Sequence, residues 1–162
     1  MNNEKCKPGA HPAETEVIMT ELVLPNDTNP LGNLLGGRLL HWIDIVGALA
    51  ATRHSRKPVA TVSVEGVDFR HPIFEGDMVT LSAKVIWTGR TSIAVRVQVK
   101  KEDLLSGAVV PTNTALLTFV AMDKDGKPCQ VPPILPATEE EMHLYNHAQA
   151  EYESRKGGKN ES

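Results

Sequence analysis

The chain has 162 residues and a formal net charge of -3 at pH 7, and 41% of its residues are hydrophobic while 23% are charged. This balance is typical of one globular domain with a single core, and it excludes a disordered chain. The negative net charge and the 4% content of aromatic residues argue against a nucleic-acid-binding surface.

The cysteine count and the apolar runs limit the class of protein further. Cys6 and Cys129 form neither a metal-binding pair nor a disulfide framework, and no cluster has the spacing of metal ligands. The N-terminus lacks the apolar core of a signal peptide, and no run approaches the length of a membrane span. We therefore expect a cytoplasmic protein with no metal site and no membrane partner.

The first elements in the chain are a polar N-terminus and a short strand. Residues 1–15 are polar and include Pro8, Gly9 and Pro12, which predicts a flexible N-terminal segment. The sequence from Thr15 to Leu24 lacks helical spacing and ends before a proline, so it predicts a first strand. The domain itself should then occupy residues 16–136.

A loop followed by a helix forms the centre of the chain. Turn-forming residues dominate from Pro25 to Asn33, and the apolar residues that follow recur at helical spacing from Gly36 to near His54. This helix is nearly apolar all round from Ile43 to Ala51, so we expect other elements to wrap it. Asp44 lies inside it among apolar or small neighbours, where a carboxylate is costly unless it is paired or functional.

The second half of the chain predicts four strands and a C-terminal helix. Four segments alternate and are rich in β-branched residues, which predicts strands: Val59–Phe69, Met78–Thr88, Ser92–Lys101 and Thr112–Met122. Gly66 is the candidate position for a bulge, and residues 103–111 are predicted as a loop. Residues 137–162 should form a helix from Thr138 to about Ser154 and then a disordered tail.

This order of elements predicts the fold class. One helix followed by a run of strands with short connections indicates an α+β fold with a mostly antiparallel sheet. One sheet covers only half of so apolar a helix, and packing against a second copy would cover the rest. We therefore expect a homodimer.

The stretch PNDTNPLGNLLGGRLLHWID resembles the signature of the hotdog-fold acyl-CoA thioesterases, the group that includes cytosolic long-chain acyl-CoA hydrolases. The matching positions are Pro25, Asp27, Asn29, Gly32, Asn33, Gly36, Gly37 and Asp44. Three later stretches agree with it, and the resemblance covers about Val17 to Pro133: VATVSVEGVDFRHPIFEGD, TGRTSIAVRVQV and ALLTFVAMDKDGKPCQVPP. It implies a curved antiparallel sheet wrapped around a long central helix, and a dimer or a trimer of dimers.

Thioester hydrolysis needs an activated water or a carboxylate nucleophile, together with donors for the oxyanion. Asp44 could be that base or nucleophile, and the free amides at the helix start, around Gly36 and Gly37, could stabilise the oxyanion. The resemblance implies that Asn29 completes the site across a dimer interface. The alternatives are that Asp44 pairs with a buried arginine or histidine, and that Asn29 only stabilises its turn.

Binding of CoA calls for basic residues that meet its phosphates. The turn of Arg90, Thr91 and Ser92 borders the nucleotide end of CoA in relatives, and Arg56 in the basic link after the helix is a second candidate. Cations at a helix C-terminus are also favoured by the helix dipole alone. No cofactor is expected, because CoA is part of the substrate and the product.

The leading hypothesis is therefore an acyl-CoA thioesterase that releases CoA and a fatty acid. The alternatives are a hotdog dehydratase acting on hydroxyacyl thioesters and a non-catalytic acyl-CoA-binding module on the same fold. Many relatives have histidine where this chain has Leu35, so no acyl-chain preference is transferred from the resemblance.

Overall fold

The computed structural model describes residues 8–158 and consists of five antiparallel strands, a long central helix and a C-terminal helix. The strands are β1 (Val17–Leu22), β2 (Val59–Glu65), β3 (Met78–Thr88), β4 (Ser92–Glu102) and β5 (Val109–Ala121), and the helices are α1 (Gly36–Ser55) and α2 (Glu139–Gly158). Two short 3-10 helices cover Pro12–Thr15 and Pro25–Asp27. The strand order is β1-β3-β4-β5-β2, so β1 and β2 are the edges of the sheet.

Helix α1 lies against one face of the curved sheet, as the apolar periodicity predicts. Its buried residues other than His54 and Ser55 at the C-terminal end form one stripe: Leu39, Trp42, Ile43, Val46, Gly47, Ala50 and Ala51. The helix approaches β5 closely at Gly47, where an added Cβ would lie 3.1 Å from the ring of Phe119. Arg56 caps the C-terminal end of α1: its backbone is left-handed (φ 58°), and its N–H donates to the carbonyl of Thr52 at 2.7 Å.

The side of α1 that faces away from the sheet is not covered within one protomer. Leu40, Ile45 and Leu49 are exposed on this side, and Val62 and Val64 are exposed on the neighbouring edge strand β2. A solitary chain would leave these apolar side chains and the unpaired edge of β2 in contact with water.

Helix α2 packs on the opposite face of the sheet. Ile86, Trp87 and Ala94 form a second apolar cluster there, and the ring of Tyr152 lies 4.8 Å from that of Trp87. The predicted end of this helix near Ser154 is too early, because α2 continues to Gly158. Arg155 on this last turn pairs with Glu65 of β2 and so holds the turn against the sheet. Residues 159–162 lie outside the described residues.

The prediction of a flexible N-terminus over residues 1–15 needs correction for residues 8–15. Pro12 and Thr15 are buried, and the N–H of Val85 on β3 donates to Thr15 Oγ1 at 2.9 Å. Ala10 exchanges backbone hydrogen bonds with Pro133 and Leu135. These contacts hold the segment in place, because each pairs a backbone polar group of β3 or of residues 133–135 before α2. Residues 1–7 lie outside the described residues.

Among the strands, the predictions for β2 and β5 differ most from the structure. Strand β2 ends at Glu65 rather than Phe69, and the next residue, Gly66, has a positive φ of 79°. The irregularity in its pairing with β5 lies between Thr61 and Ser63 rather than at Gly66. Strand β5 begins at Val109, inside the predicted loop. It tolerates Pro111 because β2 pairs only with its residues 116–121, so the earlier part of β5 is an edge.

Two features are absent from residues 8–158. Neither helix in that range is long and apolar enough to cross a membrane. Within the same range, no three side chains of His, Cys, Asp or Glu group as metal ligands would.

Candidate active site

The loop before α1 is fixed to the first turns of that helix by Asp27. This side chain is buried, accepts a hydrogen bond from the N–H of Leu24 at 2.9 Å, and pairs with Arg38 Nε at 3.2 Å. The backbone carbonyl of Asp27 also accepts from the N–H of Leu35 at 2.9 Å. Asp27 therefore positions the loop that carries Asn29.

Asn29 uses one end of its amide to shape this loop. Its Oδ1 accepts hydrogen bonds from the N–H groups of Leu31 at 3.0 Å and Asn33 at 3.1 Å. Because both partners are donors, the acceptor must be the oxygen, and this fixes the orientation of the amide. Its Nδ2 has no acceptor among residues 8–158. Asn29 thus stabilises the turn and still carries an unused donor.

The N-terminus of α1 presents free backbone donors beside this loop. The N–H groups of Arg38 and Leu39 both donate to the carbonyl of Leu35, at 3.0 and 3.1 Å, so those of Gly36 and Gly37 precede the intrahelical bonds. An added Cβ on Gly37 would meet no atom within 4 Å. The helix start is therefore open to a ligand at Gly37, and its dipole favours negative charge there.

Asp44 is partly exposed on α1 and has a partner that the sequence did not indicate. Its Oδ1 accepts a hydrogen bond from Thr61 Oγ1 of β2 at 2.7 Å, while no donor within residues 8–158 bonds Oδ2. The structure gives it no arginine or histidine partner in that range, so the alternative of a buried ion pair does not describe this carboxylate. Nothing in the local sequence pattern connects Thr61 with Asp44, because the two meet only when β2 packs beside α1.

One protomer does not bring Asp44 together with the other candidate residues. Gly37 lies two helical turns before Asp44, about 10 Å along the helix axis. Asn29 and Gly36 line a common cleft of about 240 Å³ next to the helix start, but Asp44 does not line it. A thioester carbonyl held by the amide of Gly37 is therefore out of reach of the same chain's Asp44.

The candidate CoA-binding residues lie at the other end of α1. The backbone carbonyl of Arg90 accepts a hydrogen bond from the N–H of Val131, and the carbonyl of the next residue, Pro132, is hydrogen-bonded to His54 near the end of α1. Arg56 lines a separate pocket of about 400 Å³ at that end. Arg90 and Arg56 are exposed, and Thr91 is partly exposed. Ser92 is buried, with 6% of its surface exposed, so it offers little contact area to a ligand at the surface of one protomer.

Comparisons with known proteins agree with this architecture. A model of the thioesterase superfamily matches residues 31–108. The Bacillus subtilis protein named uncharacterized acyl-CoA thioester hydrolase YkhA is 42% identical over 92% of this chain and 87% of its own length. The crystal structure of an apo-hexameric acyl-CoA thioesterase has 42% identity and a TM-score of 0.86, and covers 95% of this chain and 99% of its own.

An acyl-CoA hydrolase from Staphylococcus aureus is a second similar structure. It is 33% identical, has a TM-score of 0.83, and covers 96% of this chain and 94% of its own. It was solved in complex with butyryl coenzyme A, coenzyme A and coenzyme A disulfide, and also as variants in which an aspartate, a threonine or an asparagine is replaced by alanine. On these similarities the chain belongs to the thioesterase superfamily, among its hotdog-fold acyl-CoA thioester hydrolases.

Proposed function

We propose that this protein hydrolyses acyl-CoA to CoA and a free fatty acid at a site built from two protomers. The observation that carries the proposal is the Asp44 carboxylate. One of its oxygens is held by Thr61 and the other has no partner among residues 8–158, on a helix whose own N-terminus is open. A fixed carboxylate with one free oxygen suits either removal of a proton from water or direct attack on a carbonyl.

Both chemical routes balance with the groups available. As a base, Asp44 takes a proton from water, the resulting hydroxide adds to the thioester carbonyl, and the C–S bond breaks as the proton passes to the leaving CoA sulfur. As a nucleophile, Asp44 forms a mixed anhydride and expels the CoA thiolate, and water then opens the anhydride. In both routes the negative charge builds on the carbonyl oxygen, and donors placed there lower the barrier.

The donors for that oxygen are the backbone N–H of Gly37, assisted by Gly36, and the free Nδ2 of Asn29. Within one chain Gly37 is about 10 Å from Asp44 along the helix axis. A second protomer that lays its own helix start beside Asp44 removes this separation. We therefore assign Asp44 to one chain and Asn29 with the helix start to its partner.

The variants of the Staphylococcus aureus hydrolase support this choice of residues. The asparagine, aspartate and threonine that were replaced there have the same sequence separations from one another as Asn29, Asp44 and Thr61 have in this chain. Equal spacing along two chains of the same fold is what equivalent positions would give. The spacing thus supports Thr61, which the motif alone did not suggest, as a member of the site.

The uncovered apolar surface supports the two-protomer assembly. Leu40, Ile45 and Leu49 of α1 lie beside Val62 and Val64 of the edge strand β2, and a two-fold contact would cover both the helix and the strand edge. The similar apo-hexameric thioesterase is consistent with three such dimers. We propose a homodimer that assembles further into a trimer of dimers.

The basic residues at the end of α1 would meet the nucleotide part of CoA. Arg90 and Arg56 are exposed there, with Thr91 as a further donor, whereas Ser92 is buried. We propose that the reaction uses no cofactor or metal, since the Asp44 carboxylate can itself activate the water or attack the carbonyl. We place the enzyme in the cytoplasm on the strength of its resemblance to cytosolic hydrolases.

Incubation with a panel of acyl-CoAs of different chain length, with free thiol and fatty acid both measured, tests the proposed function. Release of equal amounts of the two is the expected result. Formation of an enoyl-CoA from a 3-hydroxyacyl-CoA, without free thiol, would instead indicate a dehydratase. Tight binding of acyl-CoA with no turnover would indicate a binding module.

A further inference from the structure

The ring of an exposed phenylalanine, Phe69, packs against Gly36, the first residue of helix α1. Phe69 belongs to the connection between β2 and β3 (residues 66–77) and is 59% exposed. Its ring is so close to Gly36 that an added Cβ there would lie 3.0 Å from both Cε1 and Cζ. An aromatic side chain outside the core, but in contact with the helix start, calls for an explanation other than core packing.

Hydrogen bonds from the sheet hold this connection in place. Asn113 on β5 donates through Nδ2 to the backbone carbonyl of Asp68, and Lys101 on β4 donates to the carbonyl of Pro72 at 2.7 Å. The N–H of Leu34 donates to the carbonyl of Ile73, also at 2.7 Å. The ring of Phe69 is thus carried by a segment tied at both of its ends.

Phe69 forms one wall of the cleft of about 240 Å³ beside the helix start. The floor of this cleft is apolar, since Leu39 and Ile73 there are 3% and 4% exposed and belong to the main core. Five polar side chains also line the cleft. Three of them are already engaged: Asn29 through Oδ1, Asn113 through Nδ2, and Asp68 through its pair with Arg70. The other two are Asn33 and His71. A hydrocarbon chain suits such a floor better than the amide-bearing arm of CoA, whose polar groups would lose their hydrogen bonds to water.

We propose that this cleft receives the acyl chain and that Phe69 is the residue that limits the chain length. This inference rests on the proposed function. A thioester oxygen held by the amides of Gly36 and Gly37 places the first carbons of the acyl chain beside the ring that covers Gly36. The length of chain that fits then depends on how much of the cleft this ring occupies.

The test compares kcat/KM for acyl-CoAs from short to long chains in wild-type protein, Phe69→Ala and Phe69→Trp. In Phe69→Ala, chains too long for the wild-type cleft should gain about fourfold in kcat/KM for each further methylene that becomes buried, mainly through KM. The shortest chains should change little. In Phe69→Trp the preference should move towards shorter chains. Phe74→Ala is the matched control, because Phe74 is also an exposed phenylalanine of this connection but does not line the cleft.

A uniform fall of kcat for every chain length in Phe69→Ala would show a structural role only and would overturn the proposal. An unchanged chain-length preference in a folded Phe69→Trp protein would also overturn it. This second variant keeps the test decisive if Phe69→Ala folds poorly. If the wild-type protein hydrolysed no acyl-CoA, the proposed function would fail by itself. Equilibrium binding of the same acyl-CoAs would still show whether affinity follows chain length through Phe69.

Discussion

The hydroxyl of Thr61 offers a sharp test of how Asp44 is held. The bond from Thr61 Oγ1 to Asp44 Oδ1 is 2.7 Å long, within the range of hydrogen bonds to a charged acceptor, which contribute about 1.5–3 kcal/mol. Because Thr61 is exposed to solvent, we take the lower end, and about 1.5 kcal/mol corresponds to roughly tenfold in rate. Thr61→Val, which keeps the branched shape on β2, should therefore lower kcat about tenfold and leave KM nearly unchanged.

Steady-state hydrolysis of one acyl-CoA, followed through release of free thiol, measures this effect. Thr61→Ser restores the hydroxyl and should recover most of the lost rate. Thr20→Val on the opposite edge strand β1 is the matched control, because Thr20 is also exposed and its side chain makes no hydrogen bond within residues 8–158. Wild-type kcat in Thr61→Val, or a Thr61→Ser protein as slow as Thr61→Val, would refute the idea that this hydroxyl positions the carboxylate.

Two further predictions concern the chemistry and the binding of CoA. Asp44→Ala should lower kcat on the order of a hundredfold or more, because the base or nucleophile is lost, and near-normal turnover in the folded variant would contradict its role. Arg90→Ala should raise KM for acyl-CoA more than it lowers kcat, since a phosphate contact is made equally in the ground and transition states. The effect should shrink for an acyl-pantetheine thioester, and an equal effect on both substrates would place Arg90 away from the nucleotide.

Patterns confined to one element are sufficient to predict much of the fold. Strand β3 has the predicted bounds, Met78–Thr88, because its alternation is regular and ends at turn residues. Helix α1 begins at Gly36 as predicted and ends at Ser55, one residue beyond the predicted end, because its apolar spacing is continuous between turn formers. The motif also draws attention to Asn29, the helix start and Asp44 without any knowledge of the geometry.

Features that depend on contacts between distant segments cannot be predicted in this way. The sequence marks Thr61 only as a strand residue, because its bond to Asp44 exists only once β2 packs beside α1. The order in residues 8–15 depends on a backbone donor of β3 that the local sequence does not reveal. The alternation predicts Phe69 as part of a strand, whereas the strand ends before Gly66, which has a positive φ, and the ring of Phe69 lies beside the helix start.

Mixing two inactive variants tests the two-protomer site most directly. Asn29→Ala and Asp44→Ala should each be poor enzymes as homodimers. If they are unfolded together and refolded, about half of the dimers should be mixed. By the symmetry of an isologous contact, each mixed dimer would have one site with both lesions and one with neither, so roughly a quarter of wild-type activity should return. No recovery, with mixed dimers demonstrated by mass spectrometry, would mean that both residues act from a single chain and would contradict the shared site.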